Sequence, residues 1–289
     1  LRQFVARFLQ AQRESVCLLI SHAANLRLSR AFLASRRAQR CDQAISGLEA
    51  VMLCRLKGWG RPLLHTSQIL YQDNHLLIVD KPANWIVQGA SSDQRSLLES
   101  AKQYIKTVFQ KPGNVYLGVV SRLDAPVTGV VPFARTSKAA ARLSEQFRNR
   151  TPRKIYLALV EGTPDPPAGN LEHFLFREPD AAKTRLTQNS DHGGLQAILV
   201  YRTLRSQDRH SLLEVELVTG RKHQIRCQLA AMGWPIVGDQ LYGSRVSFPQ
   251  GIALHCSSLS IEHPTTKKTI DVTARLPLYW PPWARHPHA

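Results

Sequence analysis

The alternation of apolar and polar positions divides this chain into many short strands and a few helices. Ile69-Leu70-Tyr71 and Leu76-Leu77-Ile78-Val79 flank Asp73-Asn74, which reads as strand, turn, strand, with Pro82 closing the second strand. Apolar residues at helical spacing predict a helix over 96–109. Residues 117–120 and 130–133 read as strands around a turn. The helical period returns over 136–148, where Ala139, Ala140, Leu143 and Phe147 share a face. Further strands are expected over 154–160, 195–204, 212–218, 252–261 and 269–274, with an exposed loop at 165–169 and a helix over 223–232. Strands outnumber helices, and short turns separate them as often as helices do. The expected class is therefore α+β, with a mixed, largely antiparallel sheet and flanking helices.

Residues 1–60 follow a different pattern. The first forty carry eight arginines against one acid, Glu14, with Phe4, Val5, Phe8 and Leu9 at helical spacing. An arginine-rich, acid-poor amphipathic start reads as a transit-derived segment, pointing to mitochondria or another organelle, or as a basic helical extension in a cytoplasmic protein. The main domain is expected over 61–289. Net charge over the 289 residues is +17, which points to nucleic acid as partner. No stretch approaches the roughly 20 apolar residues that span a bilayer, so no membrane is expected. The five cysteines form no CxxC pair and fit neither a zinc site nor a disulfide framework.

Three segments carry candidate chemistry. Asp124 lies between apolar runs, beside Arg122 and just before Pro126. An aspartate at such a turn either bonds its own backbone or is held for chemistry. Thr219-Gly220-Arg221-Lys222-His223-Gln224-Ile225-Arg226 crowds cations at a helix start, against the helix dipole. A phosphate or Asp124 nearby would resolve that conflict. Arg221 and Arg226 do not share a face, so one would meet nucleic acid while the other turns inward. Tyr156 sits in a strand beside Arg153 and Lys154, either as core or as a platform for an unpaired base. Seven Lys or Arg and one acid between Arg135 and Lys154 suggest a phosphate-facing surface. Gly238-Asp239-Gln240-Leu241-Tyr242-Gly243 reads as a shaped, architectural loop. His255 and His263 lack a matching ligand cluster. Without GxGxxG, Walker, HExxH or GxSxG motifs, dinucleotide, nucleoside triphosphate and serine-hydrolase readings are unsupported.

In order, these pieces resemble the RluA-type RNA pseudouridine synthases of the RsuA/RluA group, over about residues 69–277. Lys81-Pro82-Ala83 is similar to the first motif of that family. Ser121-Arg122-Leu123-Asp124 with Thr128-Gly129 is similar to the catalytic motif, which usually opens on histidine. Tyr156 falls at the active-site tyrosine. Thr219 to Arg226, then Pro235-Ile236-Val237-Gly238-Asp239, are similar to the third motif, and Leu254-His255 and His263-Pro264 to the C-terminal signature. The resemblance implies a pseudouridine synthase fold with a central cleft, and isomerisation of uridine in RNA without cofactor or metal. It makes Asp124 the essential acid, Arg226 its paired cation and Tyr156 the residue that packs on the base. Arg122, Thr128, Arg153, Lys154, Arg221, Lys222, His223 and Gln224 would line the cleft or contact RNA. Ribosomal RNA is the expected substrate, with an assembly intermediate and protein partners as further company. Ser121 and Val127 depart from the family pattern beside Asp124. They keep a second reading open: a catalytically silent, synthase-like RNA-binding protein of ribosome assembly, in which a side chain would fill the pocket.

Overall fold

In the computed structural model of the chain, residues 64–89, 96–179, 181–188 and 193–285 are described. The basic segment expected over 1–60 lies outside them. The first hairpin forms as its pattern predicts, from β1 (Ile69–Gln72) and β2 (Leu76–Lys81). Its turn is shaped by Asp73, whose Oδ1 accepts from the backbone N–H groups of His75 and Leu76, each at 2.7 Å. Leu76 to Val79 are buried in succession, so this strand is covered on both faces.

α1 (Leu97–Val108) starts where Ser96 accepts the N–H of Glu99, and it buries Leu97, Leu98, Ala101, Tyr104 and Ile105 along one stripe. β3 (Gly118–Val119) and β4 (Thr128–Ala134) follow. Thr136 caps α2 (Ser137–Arg148), which turns Ala139 and Leu143 inward. Then come β5 (Arg153–Glu161), β6 (Ala168–Phe176), β7 (Arg185–Thr187), β8 (Leu195–Gln207) and β9 (His210–Leu217). α3 (Gln224–Ala231), β10 (Leu254–Glu262) and β11 (Thr269–Thr273) complete the described elements.

All eleven described strands join one sheet, ordered β1-β2-β4-β10-β5-β9-β8-β6-β7, with β3 on β4 and β11 on β10. β4 and β10 run parallel and the other pairs antiparallel, so the sheet is mixed and largely antiparallel, as expected. That parallel pair sits at the centre and depends on Gly129, at φ 109°. A Cβ there would strike the backbone carbonyl oxygen of Cys256 and lie 2.7 Å from its nitrogen.

The elements differ from expectation in two places. Ala168 and Gly169 belong to β6 rather than to an exposed loop, and neither β6 nor β7 is predicted from the sequence. In β6 the inward positions are Leu171, His173 and Leu175, so a histidine interrupts the apolar period. Its Nδ1 meets Gln228 Nε2 of α3 at 3.0 Å, which makes it a satisfied inward group. The expected strand over 117–120 is reduced to two residues.

Candidate active site

Asp124 occupies the turn between β3 and β4, which Leu123 and Val127 anchor by burial on either side. The backbone of the turn closes on itself, Val127 N–H donating to Asp124 O at 3.1 Å. The side chain does not take part in that closure. Its Oδ2 accepts from Arg226 Nη1 at 3.1 Å, across 102 residues of sequence. The Asp124 side chain is therefore not spent on its own backbone, and is held instead by a side-chain ion pair.

Arg226 lies in the first turn of α3, whose residues Gln224 to Leu229 are all buried. The charge it brings to a helix N-terminus is answered by two carboxylates. Asp239 takes its Nε at 2.7 Å and its Nη2 at 2.9 Å, leaving Nη1 for Asp124. Side-chain exposures of 6% for Arg226, 2% for Asp239 and 25% for Asp124 grade the triad from the interior to the cleft. Burial alone would lower the guanidinium pKa, but the hydrogen bonds and charge of Asp239, then of Asp124, raise it. The Tyr242 ring lies under the guanidinium, 5.0 Å from Cζ to ring centre.

Tyr156 reaches the same place from β5, where it pairs with Cys256 of β10 and Val215 of β9. Burial holds its phenol well above its usual range, with the Cys256 thiol and Asp124 adding to the shift, so it stays protonated. Lys154, one turn of the pleat away, donates to Ser121 Oγ, and its ammonium lies 5.2 Å from the Phe147 ring centre. The serine that departs from the family pattern therefore ties the Asp124 turn to β5.

These groups open into a cleft of about 1020 Å³ lined by both polar and apolar side chains. No side chain fills it, which is opposite to what the silent-scaffold reading expects. Arg122, Lys154, Arg221, Lys222 and His223 line it, with Asp124, Tyr156 and Arg226. Arg221 also braces the rim, its Nε donating to Gln196 O at 3.0 Å.

Three predicted residues do other work. Thr128 is buried beneath the cleft and its Oγ1 lies 2.8 Å from His255 Nδ1, so it joins β4 to β10. Arg153 points to the other face of β5 from Lys154 and pairs with Glu216 by two hydrogen bonds of 2.9 and 2.8 Å. Gln224 borders the cleft, but its amide is spent inside, accepting from Thr219 Oγ1 and Arg221 N–H and donating to Ile198 O.

Four residues escaped the sequence reading of the site. Asp239 lay in a segment read as architectural. Arg148 and Arg150 line the cleft wall from the end of α2, within the stretch already noted for its cations. Lys81, in the first motif, is fully buried beside the Asp124 turn, its Nζ donating to Pro82 O at 3.0 Å, Trp85 O at 2.7 Å and Ala125 O at 2.8 Å. Burial pushes this amine down to about 7. Three carbonyl acceptors nevertheless require three N–H groups, which only the ammonium form supplies. Among the described residues no group of three or more His, Cys, Asp or Glu side chains is placed to hold a metal ion. Cys227 and Cys256 are free and buried, and the other three cysteines lie outside the described residues.

The sequence and the fold have known counterparts. The profile of the RNA pseudouridylate synthase family matches residues 75–231. A protein of Synechocystis sp. described as an uncharacterized RNA pseudouridine synthase is 33% identical over 217 residues, 73% of this chain and 66% of that one. Ribosomal large subunit pseudouridine synthase D of Pseudomonas aeruginosa is 32% identical over 259 residues, 82% of this chain and 77% of that one. The solved structure of human RNA pseudouridylate synthase domain containing 4 superimposes with a TM-score of 0.63 at 23% identity, covering 80% of this chain and 94% of that one. Its likeness concerns the fold, and it agrees with the mixed sheet described above. With an aspartate-centred cleft on that sheet and a family match across more than half its length, the chain belongs to the RNA pseudouridylate synthase family.

Proposed function

We propose that this protein isomerises uridine to pseudouridine in ribosomal RNA, with Asp124 as the reacting carboxylate. One observation carries the reading: Asp124 is held by a buried arginine at 3.1 Å, at the mouth of an open cleft that Tyr156 also lines. A structural role for that pair would close the space above it.

The chemistry breaks the bond between C1′ of the ribose and N1 of uracil and then joins C1′ to C5. The carboxylate serves either by attacking C1′ or by taking the C2′ proton on the way to a glycal. Both routes need a fixed, ionised oxygen facing the sugar. The freed base turns while it is still enclosed. Tyr156, with its ring in the cleft wall, supplies a face for that base, and its protonated phenol stands near the late proton transfer from C5. The uridine must first leave its stack, at a cost of a few kcal/mol. Contacts from Arg122, Arg221 and Lys222 to the flanking phosphates offset part of that cost.

Ribosomal RNA as the substrate rests on relatives named for the large ribosomal subunit. The arginine-rich first forty residues support a mitochondrial address, which imaging of the tagged full chain against a mitochondrial marker tests; diffuse cytoplasmic signal rejects it. The test of the activity is pseudouridine mapping across cellular RNA in cells carrying the wild-type chain or Asp124→Asn. Loss of one or a few ribosomal positions is expected. Unchanged modification everywhere rejects the activity, and loss confined to transfer RNA rejects the substrate.

A further inference from the structure

The turn Gly238 to Gly243 is unaccounted for by its architectural reading, because two of its side chains touch the two residues that face Asp124. Asp239 fixes Arg226, as described. Tyr242, three residues later, has its hydroxyl 2.9 Å from Nδ1 of His223. His223 is the residue just before α3, in the left-handed region at φ 54°. Its Nε2 lies 3.6 Å from Asp124 Oδ2, the oxygen that Arg226 already holds. Among the described residues nothing donates a hydrogen bond to Oδ1.

The Tyr242 hydroxyl has one proton and two places to send it. Its oxygen accepts the N–H of Thr184 at 2.8 Å. If its proton goes to Thr184 O, 3.2 Å away, His223 must donate through Nδ1, and the Nε2 lone pair then faces the carboxylate. If the proton goes to Nδ1 at the shorter 2.9 Å, Nε2 carries the ring proton and points it at Oδ2. The second arrangement replaces a lone-pair repulsion with an attraction. Burial lowers the pKa of His223 below its ordinary value, so the ring is neutral near pH 7 and has a tautomer to choose.

We infer that His223 is a second positioning residue for Asp124, its tautomer set by Tyr242, so that two donors gather on Oδ2 and leave Oδ1 as the reacting oxygen. The inference deepens the proposed activity and rests on Asp124 being the reacting group. A shift of a few tenths of an ångström on RNA binding brings Nε2 within hydrogen-bond range, as catalytic contacts tighten when substrate arrives.

Two measurements test it. Long-range proton–nitrogen NMR of the His223 ring, in the RNA-free full chain near pH 7, is expected to show a protonated Nε2 and a bare Nδ1. That preference is expected to weaken in Tyr242→Phe. A protonated Nδ1 overturns the inference whatever the chain does to RNA. Single-turnover conversion of a transcript carrying the mapped uridine, at saturating protein, is the second. His223→Ala is expected to slow it about tenfold or more with RNA affinity unchanged. His223→Gln, which restores an N–H donor, recovers part of the loss. Tyr242→Phe slows the wild-type chain but adds nothing on top of His223→Ala. A wild-type rate in His223→Ala, a loss confined to RNA affinity, or additive effects of the two changes each overturn the inference. Absence of any conversion by the wild-type chain defeats the proposed activity instead, and the ring NMR still decides the tautomer.

Discussion

At the scale of single residues, the cleft is governed by how much charge is buried and what answers it. Asp124, Asp239 and Arg226 together carry one net negative charge, with the cation shared between a buried carboxylate and one a quarter exposed. Removing one partner of such a buried set costs about 3 kcal/mol or more, because the remaining charge loses its solvation substitute. Asp239→Ala is expected to lower stability by that order in urea unfolding and to slow conversion, since Arg226 loses two of its three anchors. Asp239→Asn, which keeps the shape, should lose less of both; equal stability of wild type and Asp239→Ala would reject the anchoring role. His255 offers a second residue-scale test. Buried between Thr128 and Ala274 O, its ring pKa is lowered by desolvation from 6.5 to about 4. Between those pH values the unfolded chain binds a proton that the folded chain refuses. Stability is therefore complete above pH 6.5 and falls by about 3 kcal/mol as pH drops to 4. Denaturant midpoints measured from pH 7 to 4 should show this slope in the wild type and a shallower one in His255→Gln.

At the scale of elements, β4 and β10 set the distance between the Asp124 turn and Tyr156. Their parallel register places Gly129 opposite Cys256, and Cys256 in turn faces Tyr156 on β5. Gly129→Ala would force a methyl group into the Cys256 backbone at a positive φ, so a loss above about 3 kcal/mol, or no folded chain, is expected from thermal unfolding. Near-wild-type melting would show that the strands can move apart at no cost. This region also shows what the residues reveal in one dimension. β2, β4 and β5 are legible because each holds a run of apolar residues, and α1 and α2 because they bury one stripe each. α3 is buried over Gln224 to Leu229, polar residues included, so its period is faint and its start is read from the preceding Thr219-Gly220 instead. The inward His173 hides β6. Asp124 and Tyr156 stand out because a charge or phenol in an apolar setting breaks a pattern, whereas the family resemblance is what singles Arg226 out of its cation cluster. Asp239 escapes because an aspartate between glycines looks like any turn, and only its two bonds to Arg226 distinguish it. Thr128 misleads for the converse reason: its neighbours belong to the cleft, while its own hydroxyl is used in the core, whereas Gln224 does line the cleft but spends its amide inside.

At the scale of the whole molecule, part of the net charge of +17 lines the cleft. Arg122, Arg148, Arg150, Lys154, Arg221 and Lys222 line the cleft together with Asp124. Other cations are already neutralised by partners, such as Arg153 by Glu216 and Arg202 by Glu214, so net charge overstates the number available to phosphates. Among the described residues the Lys and Arg side chains of the cleft rim form no such ion pairs with carboxylates. Arg148 and Arg150 are the informative pair, being exposed on the wall at the end of α2 without touching the Asp124 triad. Each phosphate contact releases counterions, so the logarithm of RNA affinity falls linearly with the logarithm of salt, by about 0.7 per contact for a single strand. Binding of the mapped transcript, measured by anisotropy from 50 to 300 mM salt (about the range over which counterion release dominates), should lose about one contact's worth of slope in Arg148→Ala and again in Arg150→Ala. Arg153→Ala should leave the slope unchanged, since its charge is spent on Glu216 across the sheet. An equal loss of slope in all three variants would mean that RNA senses only total charge and that the cleft wall has no separate part in holding it.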